Sequence, residues 1–317
     1  QAACGAHGGF VAGTERFDRR CVGVSAAEAG AMAPQPRLLL ERGYGALHGG
    51  GLERAALLGS TIGVAVGISS TDFAHVLAAG PHARSVYVAT AASLSIASGR
   101  LSYVLGLQGP CLAVETACSA SLVALHVAAR ALRQRECAAH VAAGVNLILL
   151  PSSSFGLAAA GMTSAAGRSH TFDGRADGFA RGEGCCAVVL RAGESAQVRE
   201  LSGSSVMQDG KSASLTAPNG QAPRALLCAA LADAGVAPAA VARAEAHGTG
   251  TALGDPSEAG SLAGAVLSAR GAACGALAAG SVKANSGHAE PAAGLAGLVV
   301  LAMGLRRGVA APNAQLQ

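Results

Sequence analysis

Three stretches of this 317-residue chain hold residue types suited to acyl chemistry. Cys118 lies in Val114-Glu115-Thr116-Ala117-Cys118-Ser119-Ala120-Ser121, His247 in Glu245-Ala246-His247-Gly248-Thr249-Gly250-Thr251, and His288 closes Lys283-Ala284-Asn285-Ser286-Gly287-His288. A thiolate can take an acyl group as a thioester. Two neutral imidazoles can donate hydrogen bonds to the carbonyl of a second thioester and stabilise the enolate left when that substrate loses CO2. A hydrolase would need only one histidine and an orienting acid. Glycines beside both histidines let a substrate approach the backbone, and Thr249 and Thr251 can bind the polar arm of a ligand. Each residue alone has a plainer reading. Most free cysteines are small buried hydrophobes, and a histidine at a strand end is more often structural. His7, His48, His75, His82, His126, His140 and His170 are read as structural or exposed.

The elements that must position these groups follow from hydrophobic pattern. Residues 111–114 read as a short buried strand and 121–132 as a helix apolar nearly all round, hence a core helix. Cys118 would sit on the sharp turn between them, where unpaired N–H groups and the helix dipole lower a thiol pKa. A strand at 241–246 delivers His247. Another at 278–282 delivers Lys283 and His288 to an apolar helix at 291–305. Strands are also expected at 61–68, 140–150, 185–190 and 200–207. Helices are expected at 25–32 (Ser25 and Glu28 forming a capping box), 34–44, 93–105, 223–234 ending at Gly235, and 255–267 with Asp255-Pro256 as N-cap and N1. Arg100 and Tyr103 are read as structural. The loop 164–184 is dense in glycine and charge, a mark of function at that length. Strands alternating with helices define an α/β fold with largely parallel sheets. The halves rhyme, each bringing a strand and a reactive group to the start of an apolar helix. This predicts a duplication with pseudo-twofold symmetry: residues 1–193 carry the nucleophile, 194–317 the two histidines, and the reactive groups meet between them.

Composition narrows the classes. Hydrophobic residues make up 51% and charged residues 13%, so the chain can build a large core. Mean hydropathy is +0.40, yet the longest uncharged apolar stretch, 291–305, is too short to span a bilayer, so no membrane span is expected. The net charge of +4 is scattered, with aromatics at 3%, which argues against nucleic acid. There is no C-x-x-C among 9 cysteines, so no metal site is expected. Cys185-Cys186 reads as core filler. Reduced thiols point to a cytoplasmic location, although a targeting segment could precede Gln1. The Gly210-Lys211-Ser212 run lacks the upstream glycine of a phosphate loop, so that reading is discarded.

The sequences 116–121, 247–256 and 283–288, in this order, resemble the nucleophile and two histidine motifs of the β-ketoacyl synthase family. Loop 172–184 and segment 32–41 are similar to the ketosynthase domain of type I modular polyketide synthases. The resemblance covers nearly the whole chain. It implies a thiolase-like duplicated fold in five α-β-α-β-α layers, usually a homodimer. It implies acyl transfer to Cys118 from acyl carrier protein or an equivalent donor, then decarboxylation of a malonyl-type thioester and Claisen condensation. His247 and His288 would activate the extender, Lys283 would tune the second histidine, and Thr249 and Thr251 would contact the phosphopantetheine arm. Asp255 and Glu258 would give structural support. No cofactor would be bound, since substrates arrive on the phosphopantetheine of the carrier.

The departures are as informative. The family begins with a strand upstream of Gln1 and ends with a glycine-rich, Phe-containing loop and closing strands beyond Gln317, so the resemblance implies a fold incomplete at both termini. Ala33 and Pro36 stand where the family usually has Asp and Gln. The leading expectation is a condensing enzyme of polyketide or fatty acid biosynthesis. The alternatives are a non-catalytic fragment or scaffold, and a non-decarboxylating thiolase, which would use a second cysteine as base.

Overall fold

The computed structural model describes residues 7–69, 72–193, 199–212, 219–270 and 275–317. Residues 1–6, 70–71, 194–198 beside the expected boundary between the halves, 213–218 and 271–274 lie outside them. A four-stranded sheet is built from β1 (Ile62–Gly67), β2 (Cys111–Val114), β3 (Ala139–Asn146) and β4 (Gly184–Arg191), in the order β2-β1-β3-β4. β1 is parallel to both neighbours, with Val64 opposite Cys111 and Val141, while β4 runs antiparallel to β3. β1 and β3 are buried along their whole length, which explains their continuous apolar sequences. A second, two-stranded parallel sheet pairs β5 (Arg243–Glu245) with β6 (Ala278–Gly280).

Helices complete the layers. α1 (Ala26–Ala31) opens on the expected Ser25 cap, whose Oγ accepts the Glu28 N–H. α2 (Pro34–Gly49) and α3 (Leu94–Leu105) cover one face of the larger sheet. Leu38, Leu39 and Leu101 meet Val64 and Val141 there in the main core. α4 (Ala120–Arg133) covers the opposite face, and α7 (Ala293–Arg307) packs beside it, between the larger sheet and β5. α5 (Ala222–Ala234) and α6 (Gly254–Ala265) pack on each other. The order is the five-layered, thiolase-like α-β-α-β-α arrangement.

Two glycines set the depth of the central layer. A Cβ on Gly67 would lie 2.5 Å from the Ser121 nitrogen, and one on Gly144 would lie 2.6 Å from the Ser121 Cβ and 3.1 Å from the Ala292 Cα. Without side chains there, the starts of α4 and α7 reach the sheet surface and each other. The Ser121 Oγ accepts the Leu295 N–H at 3.1 Å, so one half satisfies an unpaired donor at the helix start of the other.

Several expectations need correction. β2 is an edge strand and only partly buried. Leu122 is exposed, so α4 is not apolar-packed all round. The strand expected at 140–150 ends at Asn146, and the chain turns into the helix Pro151–Ala159. The helix expected at 34–44 continues to Gly49. Arg100 is buried and paired with Glu28, but Tyr103 projects into solvent. No strand forms at 200–207 among the described residues. There the backbone is held by side chains instead of a ladder. The Ser204 N–H donates to Asp233 at 2.9 Å, and the Ser202 carbonyl accepts from Arg133 at 3.0 Å.

Candidate active site

Cys118 rides on a single 3₁₀ turn, Ala117–Ser119, wedged between β2 and α4. Ala117 has φ +50°, left-handed for a residue with a Cβ. That conformation turns the chain sharply enough to aim the thiol away from the sheet. On the other side, β6 leads into the short helix Lys283–Ser286, then Gly287, His288 and the turn Glu290–Ala292 before α7. His247 follows β5. The Cys118 sulfur and one ring nitrogen from each of His247 and His288 all lie within 4.8 Å of one another. The two imidazoles stand nearly perpendicular, with ring centres 5.5 Å apart. This triad is the one grouping of three or more His, Cys, Asp or Glu among the described residues whose ligand atoms come that close, and those atoms suit acyl transfer.

The loop carrying His247 is folded by its glycines and its acids. Gly248 (φ +46°) and Gly250 (φ +79°) take left-handed conformations. Glu258 accepts the N–H groups of His247 at 2.5 Å and Gly248 at 2.7 Å. Asp255 accepts those of Gly250 at 3.0 Å, Thr251 at 3.3 Å and Phe172 at 2.8 Å. Asp255 is therefore not the helix N-cap. α6 begins at Gly254 after Leu253, and the carboxylate ties the histidine loop to loop 164–184. Thr249 and Thr251 place their Oγ atoms 3.3 Å apart on the wall of a cavity of about 1460 Å³ that reaches Cys118, His247 and His288.

Electrostatics follow from burial. Lys283 is 4% exposed, and its ammonium is made less favourable by desolvation, with Glu258 and then Glu245 compensating. His247 faces the cavity but is crowded by protein atoms. Desolvation, then Lys283, push its pKa down to about 4. The same causes, with His247 and Arg181 added, hold His288 well below the ordinary imidazole value. Both imidazoles are therefore neutral at pH 7. The Cys118 thiol departs from expectation: burial raises its pKa, outweighing the lowering by a backbone hydrogen bond and by Lys283, and Glu290 adds to the rise.

Several cavity-lining and supporting residues went unread in the sequence. Phe179 packs its edge against His288 with ring centres 5.0 Å apart, and Met162, Val206 and Met207 give the cavity apolar wall. Phe179 and Arg181 lie in the loop marked by its density of charge and glycine, the one sequence signal that pointed near them.

A nucleophilic thiol and two neutral imidazoles, brought together by paired helix starts in a thiolase-like fold, define an acyltransferase of the condensing class. Residues 1–196 match the family model of the β-ketoacyl synthase N-terminal domain, and 198–317 that of the C-terminal domain. The chain belongs to the β-ketoacyl synthase family. It is 43% identical over 313 residues to one of the phenolphthiocerol/phthiocerol polyketide synthase subunits of Mycobacterium tuberculosis, covering 96% of this chain and 20% of that protein. Among solved structures it resembles the ketosynthase from module 6 of the bacillaene synthase of Bacillus subtilis 168 (TM-score 0.87, 32% identity, 97% of this chain and 53% of that one). It also resembles an oxazolomycin ketosynthase domain of Streptomyces albus JA3453 (TM-score 0.87, 34% identity, 98% and 54%). The chain thus spans about half the length of these solved chains and a fifth of that curated relative. No described helix is long and apolar enough to cross a membrane.

Proposed function

We propose that this chain is the condensing part of a polyketide synthase, acting through Cys118, His247 and His288. The observation that carries the reading is the close approach of one thiol and two neutral imidazoles on the wall of a single cavity. Acyl carrier protein presents an acyl group on its phosphopantetheine arm, which runs past Thr249 and Thr251. Cys118 attacks the thioester carbonyl and displaces the carrier thiol, so the carbon–sulfur bond to the carrier breaks as that to Cys118 forms. A malonyl-type thioester then enters on a second carrier. His247 and His288 donate hydrogen bonds to its carbonyl oxygen. The carbon–carbon bond to the carboxylate breaks, CO2 leaves, and the enolate carbon attacks the Cys118 thioester; its carbon–sulfur bond breaks, the Cys118 thiolate is released, and the β-ketoacyl product remains on the second carrier. Neutral donors suit the second step, because an imidazolium would hold the ground-state carboxylate as strongly as the enolate.

Supporting residues fit this division of labour. Burial, reinforced by the charge of Lys283, keeps both imidazoles neutral, while Asp255 and Glu258 hold the His247 loop. Residues 1–193 supply the nucleophile and 194–317 the two donors. The functional unit is a homodimer, and substrates arrive on carrier protein with no cofactor resident in the chain. Seven free thiols among the described residues support a reducing, cytoplasmic location.

Intact-mass spectrometry tests the reading. The unaltered chain mixed with an acyl thioester gains one acyl mass, and Cys118→Ala gains none. Addition of malonyl-carrier protein discharges the adduct as a β-ketoacyl product. A folded, soluble chain without the adduct would return the scaffold reading.

A further inference from the structure

His288 is held by more than its own loop. Its backbone bridges residues 180–182: the His288 N–H donates to the Ala180 carbonyl at 2.7 Å, and its carbonyl accepts the Gly182 N–H at 2.8 Å. Its ring is set by two contacts, the Phe179 edge and a hydrogen bond from the Glu290 backbone N–H to Nδ1 at 3.1 Å. A ring nitrogen that accepts such a bond carries no proton, so the proton of the neutral imidazole is on Nε2.

That backbone donor is in an unfavourable place. Glu290 has φ +44°, in the left-handed region, and it immediately precedes Pro291. A side chain with a Cβ resists the first, and a following proline restricts the backbone further. Something must hold the residue there. The Glu290 carboxylate accepts from Arg181 Nε at 2.7 Å, and this ion pair is mostly buried. Arg181 is itself fixed: its Nη1 donates to the hydroxyls of Ser153 at 2.9 Å and Ser154 at 2.8 Å, at the start of helix Pro151–Ala159. Asp72 accepts from the Ser153 hydroxyl at 3.3 Å and from the N–H groups of Leu149 and Leu150. The chain of contacts runs from that helix start to the imidazole.

We propose that Arg181 and Glu290 are positioning residues for His288. Their ion pair holds residue 290 in the left-handed conformation that presents its N–H to Nδ1, and so fixes the ring and its Nε2 proton toward the cavity. The claim rests on the condensing reading for its consequence, since His288 acts there on the extender and not on the first acyl transfer.

Two variants and two readouts test it. Glu290→Ala removes the anchor while keeping a Cβ; Glu290→Gly removes the anchor and the strain together. In Glu290→Ala, release of CO2 from malonyl-carrier protein falls about 10- to 100-fold, far more than acylation of Cys118 falls. Glu290→Gly recovers part of that loss, because glycine enters φ > 0 without penalty. Nitrogen-15 NMR of the histidines, with His288 assigned by its disappearance in His288→Asn, gives the second readout. The unaltered chain shows the Nε2-protonated tautomer at His288, and Glu290→Ala shows a mixture. Equal losses of acylation and decarboxylation, a glycine variant no better than alanine, or an unchanged tautomer in Glu290→Ala would each overturn the positioning role. If the unaltered chain neither acylates nor releases CO2, the condensing reading fails, while the tautomer measurement still decides whether the ion pair positions His288.

Discussion

At the scale of single residues, burial and neighbouring charge compete over the proton of Cys118. A thiol at a helix start is expected to ionise easily. Here the apolar surroundings dominate, and Lys283 and the local N–H only partly offset them. The nucleophile is thus a thiol that must lose its proton as the substrate arrives, not a stored thiolate. This is measurable as the rate of Cys118 alkylation by iodoacetamide. The rate should climb roughly tenfold per pH unit from 7 to 8.5 and show no plateau below the ordinary thiol pKa of about 8.5. A plateau near neutrality would mean that the helix start and Lys283 win over burial. The identity of the three reacting groups was legible, because each stands in a short stretch whose glycines and apolar runs mark a strand-to-helix turn. Arg181 and Glu290 were not, because they lie 109 positions apart and meet only once the bridge between residues 181 and 288 has formed.

At the scale of elements, the buried strands were easy to read, since β1 and β3 are continuous apolar runs. The strand expected at 200–207 was not realised, although its sequence favours one. A strand is defined by its partner, and the local pattern cannot announce whether a neighbour is in place; Asp233, Arg130 and Arg133 anchor that backbone instead. The same reasoning gives β2 a consequence. It is short, apolar and uncharged, and it forms one edge of the sheet. Val64 N–H donates to the Pro110 carbonyl and Ile68 N–H to the Val114 carbonyl. The intervening Cys111 and Ala113 therefore turn their backbone groups away from β1. An unprotected edge of this kind is a template for another strand, and a second copy of the chain is the partner that the homodimer reading requires. Size-exclusion chromatography with light scattering should give twice the chain mass for the unaltered protein. Ala113→Pro, which removes one outward N–H and spares the ladder to β1, should give a single chain mass. A variant that stays dimeric would place the interface elsewhere.

Over the whole molecule, the site depends on keeping imidazoles neutral in a crowded interior, and that requirement reaches beyond the site. His140 is fully buried in β3, its Nδ1 donating to the Val141 carbonyl at 3.0 Å and its Nε2 without a hydrogen-bond partner. Burial lowers its pKa, as it does those of His247 and His288. For each group the folded pKa lies below the unfolded value of about 6.5, so below that pH the unfolded chain binds protons that the native chain refuses. The stability these groups contribute is complete above about pH 6.5 and is lost as pH falls through the window down to the folded values, about 4 for His247. The loss approaches about 1.4 kcal/mol per pH unit for each buried histidine that stays neutral. It is smaller for His247, whose cavity face meets solvent. Carboxylates act lower: Asp233, held down to about 2 chiefly by the Ser204 N–H and then Arg133, keeps its full contribution above the ordinary carboxylate range and loses it only as pH falls below that range. Calorimetric Tm should therefore be nearly level from pH 7 to 8 and fall steadily from pH 6.5 to 4.5, with His140→Asn giving a shallower slope. A level profile to pH 4.5 would mean that these imidazoles protonate in place. Their folded pKa values would then lie near the ordinary value of about 6.5 and not below it, and the burial argument for their neutrality would fail with the stability argument.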